Sequence, residues 1–128
     1  MKYRLLDLLA CPHCKSWPLS YIIFSETYYE YKDLKVQTPF CKDYCGLKAN
    51  YLNNINILEI NCVECIKKEI VEGLIICNNC NRWYPIVDEI PIMLPDELRN
   101  EKEDKDFLNK WKEKIPEKIL KNGLPFHL

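Results

Sequence analysis

Residues 77–95 read Cys77-Asn-Asn-Cys80-Asn-Arg-Trp-Tyr-Pro-Ile-Val-Asp-Glu-Ile-Pro-Ile-Met-Leu-Pro95, a Cys-x-x-Cys knuckle followed by a short apolar segment that contains three prolines. Two thiols separated by two residues can hold one metal ion, because the tight turn between them points both sulfurs at a common centre. A tetrahedral zinc ion needs two further ligands, and the segment Cys11-Pro-His-Cys14 supplies them. The pattern therefore predicts a zinc ribbon closed by two knuckles, with an apolar segment beyond it that faces a partner.

The eight cysteines of this 128-residue chain all fall into close pairs, namely Cys11/Cys14, Cys41/Cys45, Cys62/Cys65 and Cys77/Cys80. Paired knuckles in a chain with no expected export signal indicate metal ligands first and redox dithiols second. Four thiolates around one zinc ion leave no open position for water, so we expect the site made by the first and last pairs to be structural. The two middle pairs predict a second zinc site, with disulfides or free thiols as the alternatives.

The composition limits the classes of function. Lysine and arginine number 18 and aspartate and glutamate 19, for a formal net charge of −1. This balance argues against a broad electrostatic surface for nucleic acid. The apolar run at the N-terminus is short and interrupted by Asp7, so we do not expect a signal peptide. No stretch approaches the roughly 20 apolar residues that a membrane helix needs, and we expect a cytoplasmic protein with no role at a membrane.

No pattern in the sequence indicates an enzyme active site. The three glycines are scattered, which excludes a phosphate-binding glycine loop, and no serine lies in a setting that suggests a catalytic triad. We interpret His13, inside the first knuckle, as a polar residue that shields the metal site, because four thiols are available as ligands. We therefore expect no catalytic residues and no cofactor other than zinc.

Local patterns predict an α+β chain whose strands precede its helices. Aromatic and β-branched residues over 19–31 predict one long strand, or two strands with a bend near 25–26. We predict a return strand around 35–37, and a period-2 pattern over 55–59 predicts a further strand. The pair Glu72-Gly73 predicts the turn of a hairpin that leads into the last knuckle.

The last part of the chain is predicted to be helical. Asp96 is a good N-cap for a helix that runs to Ile115, where Pro116 would end it. A second short helix is predicted over 117–122, before Gly123. Four apolar residues of the longer helix form a single stripe that we expect to pack within the chain; they are Phe107, Leu108, Trp111 and Ile115.

These elements predict a small zinc-ribbon domain with an insert and a tail. The ribbon core would comprise residues 1–20 and 66–95. Residues 21–65 would form an inserted, strand-rich segment that carries the second cysteine cluster, and residues 96–128 a C-terminal helical tail.

Two further stretches accompany the knuckles. They are Leu5-Leu6-Asp7-Leu8-Leu9-Ala10-Cys11-Pro12-His13-Cys14-Lys15 and Glu69-Ile70-Val71-Glu72-Gly73-Leu74-Ile75-Ile76-Cys77, the latter continued by the stretch that ends at Pro95. Together they resemble the small zinc-binding activator subunit shared by several methyltransferases. The most specific part is the last knuckle followed by Arg-x-Tyr-Pro-Ile and Ile-Pro-x-Met-Leu-Pro. The resemblance implies that the zinc ligands of the family fall on Cys11, Cys14, Cys77 and Cys80.

The resemblance also implies a function without catalysis. In that family the small subunit lays a strand along the sheet edge of an S-adenosylmethionine-dependent methyltransferase and covers an apolar patch on the enzyme. An edge strand offers unpaired backbone groups for such pairing, and Pro91 favours an edge position. The residues that we expect to face the enzyme are Leu5, Leu8, Leu9, Ile86, Ile90, Pro91, Ile92, Met93 and Leu94.

The expected assembly is a heterodimer with a catalytic methyltransferase subunit acting on tRNA, rRNA or a translation release factor. The substrate would be contacted only through the enzyme. Two features depart from the family pattern: Glu89 stands where the family usually has glycine, and the insert with its four cysteines has no counterpart in the compact members.

Two other functions remain open at this point. A nucleic-acid-binding zinc ribbon would need a basic face, for which Lys67-Lys68 and Arg82 are the only indications, and its binding of RNA would be sensitive to salt. A dithiol redox protein would need a reactive thiol of low pKa at the start of a helix. Zinc held by all four thiols of a knuckle pair would exclude the redox function there.

Overall fold

The computed structural model describes the whole chain, residues 1–128. Its strands are β1 (Ser20–Tyr28), β2 (Tyr44–Cys45), β3 (Asn50–Tyr51), β4 (Lys68–Ile76), β5 (Trp83–Val87) and β6 (Ile90–Pro91). Its α-helices are α1 (Cys62–Lys67), α2 (Glu101–Lys110) and α3 (Glu117–Asn122). Short 3-10 turns cover Tyr3–Asp7, Leu52–Asn54, Ile57–Glu59, Asp96–Leu98 and Lys112–Lys114. The predicted α+β class with a C-terminal helical part is confirmed.

An antiparallel sheet in the order β1-β4-β5-β6 is the centre of the molecule, and β2 pairs with β3 in a separate two-stranded sheet. Successive side chains of a strand point to opposite faces, so β4 and β5 contribute to two cores. One core joins Ile75 and Tyr84 to the N-terminal 3-10 turn and to Tyr44 of β2. The other joins Ile76 and Trp83 to the C-terminal helices.

The long strand predicted over 19–31 is confirmed as β1. Its pairing with β4 is in register from Ser20 to Ile23 and shifts between Ile23 and Glu26, which places an irregularity at the predicted bend. Although all of β1 except Ser20 lies within the stretch that we assigned to the insert, the strand belongs to the main sheet. The division into ribbon core, insert and tail stays a prediction.

The predicted turn at Glu72-Gly73 is wrong, because β4 runs through both residues as one strand. Gly73 pairs with Ile23 on one side and Ile86 on the other. A Cβ atom built on Gly73 would lie 2.7 Å from the carbonyl oxygen of Ile22. The glycine therefore serves the close approach of β1 to β4 rather than a turn.

Both strands predicted from the middle of the chain are wrong. Residues 35–37 form no strand, and residues 55–59 include a 3-10 turn instead. The Asn56 side chain accepts a hydrogen bond from the backbone N–H of Leu58 at 3.0 Å, which supplies the backbone with a local partner in place of a strand. Within residues 29–65 only the two short strands β2 and β3 form.

The C-terminal helix begins later and ends earlier than predicted. Its N-cap is Asn100, whose side chain accepts from the N–H of Glu103 at 3.0 Å, whereas Asp96 pairs with Arg82 at 2.7 Å. Because that carboxylate is engaged by the guanidinium, it does not cap the helix. The predicted second helix at 117–122 is confirmed.

The apolar stripe packs within the chain, as predicted. Leu108 and Ile115 are buried in the second core, and Phe107 and Trp111 pack against it. The ring of Trp111 stacks on Phe24 of β1 with centroids 4.7 Å apart. The tail therefore covers one face of the sheet.

Candidate metal centre and partner face

The first and last cysteine pairs converge on one point. The sulfur atoms of Cys11, Cys14, Cys77 and Cys80 all lie within 4.8 Å of one another. Across the two knuckles, the sulfurs of Cys14 and Cys77 lie 3.4 Å apart and those of Cys11 and Cys80 lie 3.6 Å apart. A Zn–S bond of about 2.3 Å places the sulfurs of a tetrahedral site about 3.8 Å apart. The four thiols therefore fit one zinc ion with a complete, structural coordination shell.

The two knuckles have the same backbone construction. In the first, the N–H of Lys15 donates to the carbonyl of Cys11 at 2.8 Å; in the second, the N–H of Asn81 donates to that of Cys77 at 2.9 Å. Lys15 and Asn81 both have positive φ, 65° and 61° respectively. This left-handed residue reverses the chain directly after the second thiol of each knuckle, so both turns present their sulfurs in the same way.

Hydrogen-bonding groups surround the sulfurs. The hydroxyl of buried Tyr84 lies 3.2 Å from the sulfur of Cys11, and the hydroxyl of Ser16 lies 3.2 Å from that of Cys14. The hydrogen bond with Ser16 is the main cause that lowers the pKa of Cys14 to about 5. Burial, in contrast, raises the pKa of Cys77 to about 12. The hydrogen bond with Ser16 therefore favours a thiolate at Cys14, which is the form that binds a metal.

His13 was expected to shield the site rather than to ligate the metal. Its side chain is exposed, and it does not belong to the group of four converging ligands. The arrangement of the site has no open coordination position that would serve catalysis.

The four cysteines of the middle pairs line a single small cavity between β2 and α1. Cys45 and Cys62 are buried and Cys41 and Cys65 half-buried, and none forms a disulfide. Their sulfurs are not gathered as closely as those of the first cluster, which is the only such group in the chain.

Asp7 is a positioning residue that the sequence did not single out. Its carboxylate accepts three backbone N–H groups, from Lys42 at 2.8 Å, Asp43 at 3.0 Å and Tyr44 at 2.8 Å. It thereby fixes the loop between Cys41 and Cys45 to the N-terminal 3-10 turn. No local pattern could reveal this contact, because its partners lie some 35 positions further along the chain.

The outer edge of the sheet carries exposed apolar residues. β6 is the last strand of the sheet, as expected for the segment that contains Pro91. Ile90 of β6 is 59% exposed, and Leu98 of the following 3-10 turn is 65% exposed. A groove of about 280 Å³ beside this edge is lined by Val87, Leu94 and Leu98 among others.

The other residues predicted to face a partner differ in exposure. Leu8 is 64% exposed, whereas Leu5, Leu9 and Met93 pack against the first core. Pro91 and Ile92 are half-buried. Ile86 is completely buried, so it supports this edge from within the core and offers no surface to a partner.

The turn between β5 and β6 shows which backbone conformation position 89 requires. Asp88 and Glu89, the two residues between β5 and β6, have φ of 48° and 71°. A two-residue hairpin loop whose twist matches that of its two strands requires both loop residues to be in the left-handed conformation. The glutamate therefore adopts the conformation for which glycine is usually selected.

A family model described as Trm112p-like protein matches residues 2–89 of the chain. The match includes both knuckles of the metal centre and the segment between them. No curated protein matches the chain. No helix in the structure combines the length and the apolar character that crossing a bilayer requires.

Proposed function

The chain belongs to the Trm112p-like protein family, and from this membership we propose that it is a non-catalytic subunit that stabilises and activates a methyltransferase. The enzyme would be an S-adenosylmethionine-dependent methyltransferase that modifies tRNA, rRNA or a translation release factor. The two chains would form a heterodimer, and the substrate would contact the enzyme rather than this chain.

The observation that carries the proposal is the unpaired outer side of β6, which is one of the two edge strands of the main sheet beside β1. Its inner side pairs with β5, where Ile86 faces Pro91 and Val87 faces Ile90. Its outer side has no strand beside it. A strand of the enzyme can add to such an edge through backbone hydrogen bonds, while side chains along the edge supply specificity.

The side chains at this edge suit an apolar partner surface. Ile90, Leu94 and Leu98 are exposed, and we name these three side chains the edge patch. Leu94 and Leu98 also line the adjoining groove, together with apolar residues such as Val87 and charged ones such as Glu103. Burial of one such side chain contributes about 1.5–3 kcal/mol of favourable transfer free energy. An enzyme with an apolar patch of its own would gain stability when both patches are covered.

The metal centre would hold the edge in place. Cys77 and Cys80 directly precede β5, and Cys77 is 1% exposed in the first core. Zinc bound by both knuckles ties the start of β5 to the N-terminal segment. The strand pair β5–β6 would then present its outer side as a rigid element, which lowers the entropic cost of docking.

Affinity purification of the tagged full-length chain from its native cells at moderate salt tests the proposal. We expect a methyltransferase to elute in stoichiometric amount, and methylation activity to require both chains. Elution with nucleic acid or polymerase subunits instead would favour a nucleic-acid-binding zinc ribbon. Methylation of RNA or protein by the isolated chain would contradict the proposal outright.

A further inference from the structure

We propose that Cys41, Cys45, Cys62 and Cys65 form a second structural site that binds one zinc ion. These residues take no part in the metal centre between the two knuckles described above. The inference does not depend on the proposed function, because it concerns the stability of the segment between β1 and β4.

The fold brings the two middle pairs together from distant positions. Cys41 lies just before β2, Cys45 is the last residue of β2, and Cys62 and Cys65 lie in the first turn of α1. All four line one cavity of about 20 Å³. A single water molecule needs roughly 10–15 Å³ by the same measure, so the cavity has room for one ion but none for an organic ligand.

The chemistry of the lining selects a soft metal ion. The cavity has four thiols, and no histidine, aspartate or glutamate contributes to it. Thiolate donors bind zinc in preference to magnesium or calcium, which require oxygen ligands. A zinc ion with four thiolates carries a net charge of −2. Arg4 and Lys48, which also line the cavity, would offset part of this charge.

The backbone around the cavity is held by contacts with other parts of the chain. The N–H of Phe40 donates to the sulfur of Cys62 at 3.4 Å, which ties the segment before Cys41 to α1. The loop from Lys42 to Tyr44 is held by Asp7. After Cys45, the chain touches the N-terminal turn so closely that a Cβ atom on Gly46 would lie 2.1 Å from the carbonyl oxygen of Tyr3.

The segment has little else to stabilise it. Only Tyr44, Cys45, Gly46 and Cys62 are buried within residues 29–65, and regular structure there is limited to β2, β3, two 3-10 turns and the start of α1. A segment without a substantial apolar core needs a covalent or metal cross-link to hold one conformation. Zinc binding would draw the sulfurs of β2 and α1 closer than they lie here, with each protonated thiol releasing its proton to solvent.

Zinc content of the full-length chain, purified under reducing conditions without chelator, tests the inference. We expect two zinc ions per chain, and one in the double variant Cys62→Ser/Cys65→Ser. The control Leu58→Ser lies in the same segment at an 88% exposed position and should retain two. One zinc ion in the unaltered chain, with the four middle thiols alkylated as fast as in an unfolded peptide, would overturn the proposal. A mass lower by two hydrogens for each disulfide at these cysteines would overturn it as well.

Titration of the metal-free chain with Co²⁺ keeps the test decisive if the double variant does not fold. Thiolate-to-cobalt charge-transfer absorption should increase up to two equivalents in the unaltered chain. Saturation at one equivalent would contradict a second thiolate site.

Discussion

At the scale of single residues, Asp7 shows how one carboxylate connects two distant parts of the chain. Burial alone would raise its pKa, but the three N–H groups from Lys42, Asp43 and Tyr44 outweigh burial, so the pKa of Asp7 lies below its ordinary value of 3.8. A carboxyl group whose pKa is lower in the folded chain stabilises the fold at neutral pH. It loses that effect as the pH falls below the ordinary value and through the lowered one.

Replacement of Asp7 by alanine should lower the free energy of unfolding by about 1–2 kcal/mol at pH 7, because three backbone N–H groups lose their acceptor. The difference between the two proteins should shrink as the pH falls below 3.8, where the carboxyl of the unaltered chain becomes protonated. Urea unfolding at pH 7 and at acidic pH measures both effects. An equal loss at every pH would mean that the charge of Asp7 does not contribute.

The residue scale also shows where the sequence was informative and where it was not. Spacing alone identified the knuckle of Cys11 and Cys14 as the complement of the last one, because the turn geometry of a Cys-x-x-Cys segment is local. The roles of Asp7 and Tyr84 could not be predicted, since both depend on contacts between residues far apart in the chain. The sequence marks Glu89 as unusual, but only its φ of 71° shows that this position needs the left-handed backbone conformation.

At the scale of elements, α2 is attached to the sheet by Arg99. This buried guanidinium donates to the carboxylate of Asp104 at 2.9 Å and to the carbonyl oxygen of Trp83 at 2.7 Å. Its carbon also lies 4.6 Å from the centroid of the Trp83 ring. A charge pair that is buried to this degree stabilises the fold only while both partners are present.

Substitution of Arg99 by leucine should lower the free energy of unfolding by about 3–5 kcal/mol, because it leaves the Asp104 carboxylate buried without a counter-ion. The double variant Arg99→Leu/Asp104→Leu should regain most of that loss. Thermal or urea unfolding of the three proteins gives the comparison. The exposed pair of Lys102 and Asp106 is a matched control, and loss of its charge should change stability by less than about 1 kcal/mol.

Predictions of helices and strands were correct where the sequence pattern was long. They were wrong where a single side-chain hydrogen bond or ion pair decided the conformation. β1 and the apolar stripe that starts in α2 and continues to Ile115 follow from runs of residues with a clear pattern. The strand expected over 55–59 was replaced by a turn because Asn56 satisfies the backbone locally. The helix start was misplaced because Asp96 had a stronger partner in Arg82.

At the scale of the whole molecule, both faces of the main sheet are covered, and its two edge strands are β1 and β6. The N-terminal turn and the middle segment cover one face, and α2 with α3 covers the other. The edge patch lies at the β6 edge. The fold class and the zinc ligands could be predicted from the sequence, but the exposure of Ile90 and the burial of Ile86 could not, because both residues belong to the same short apolar segment.

The most direct test of the account is the affinity of a co-purifying methyltransferase for the chain and for its Ile90→Asp variant, measured by isothermal titration calorimetry. The account predicts at least about a tenfold loss of affinity, because the new carboxylate would be desolvated against an apolar surface. Zinc content and the unfolding midpoint should stay unchanged, since Ile90 is 59% exposed. The control Leu58→Asp, at an exposed position away from β6, should bind normally. Equal affinity of the Ile90→Asp variant and the unaltered chain would contradict the assignment of β6 as the interface with the enzyme.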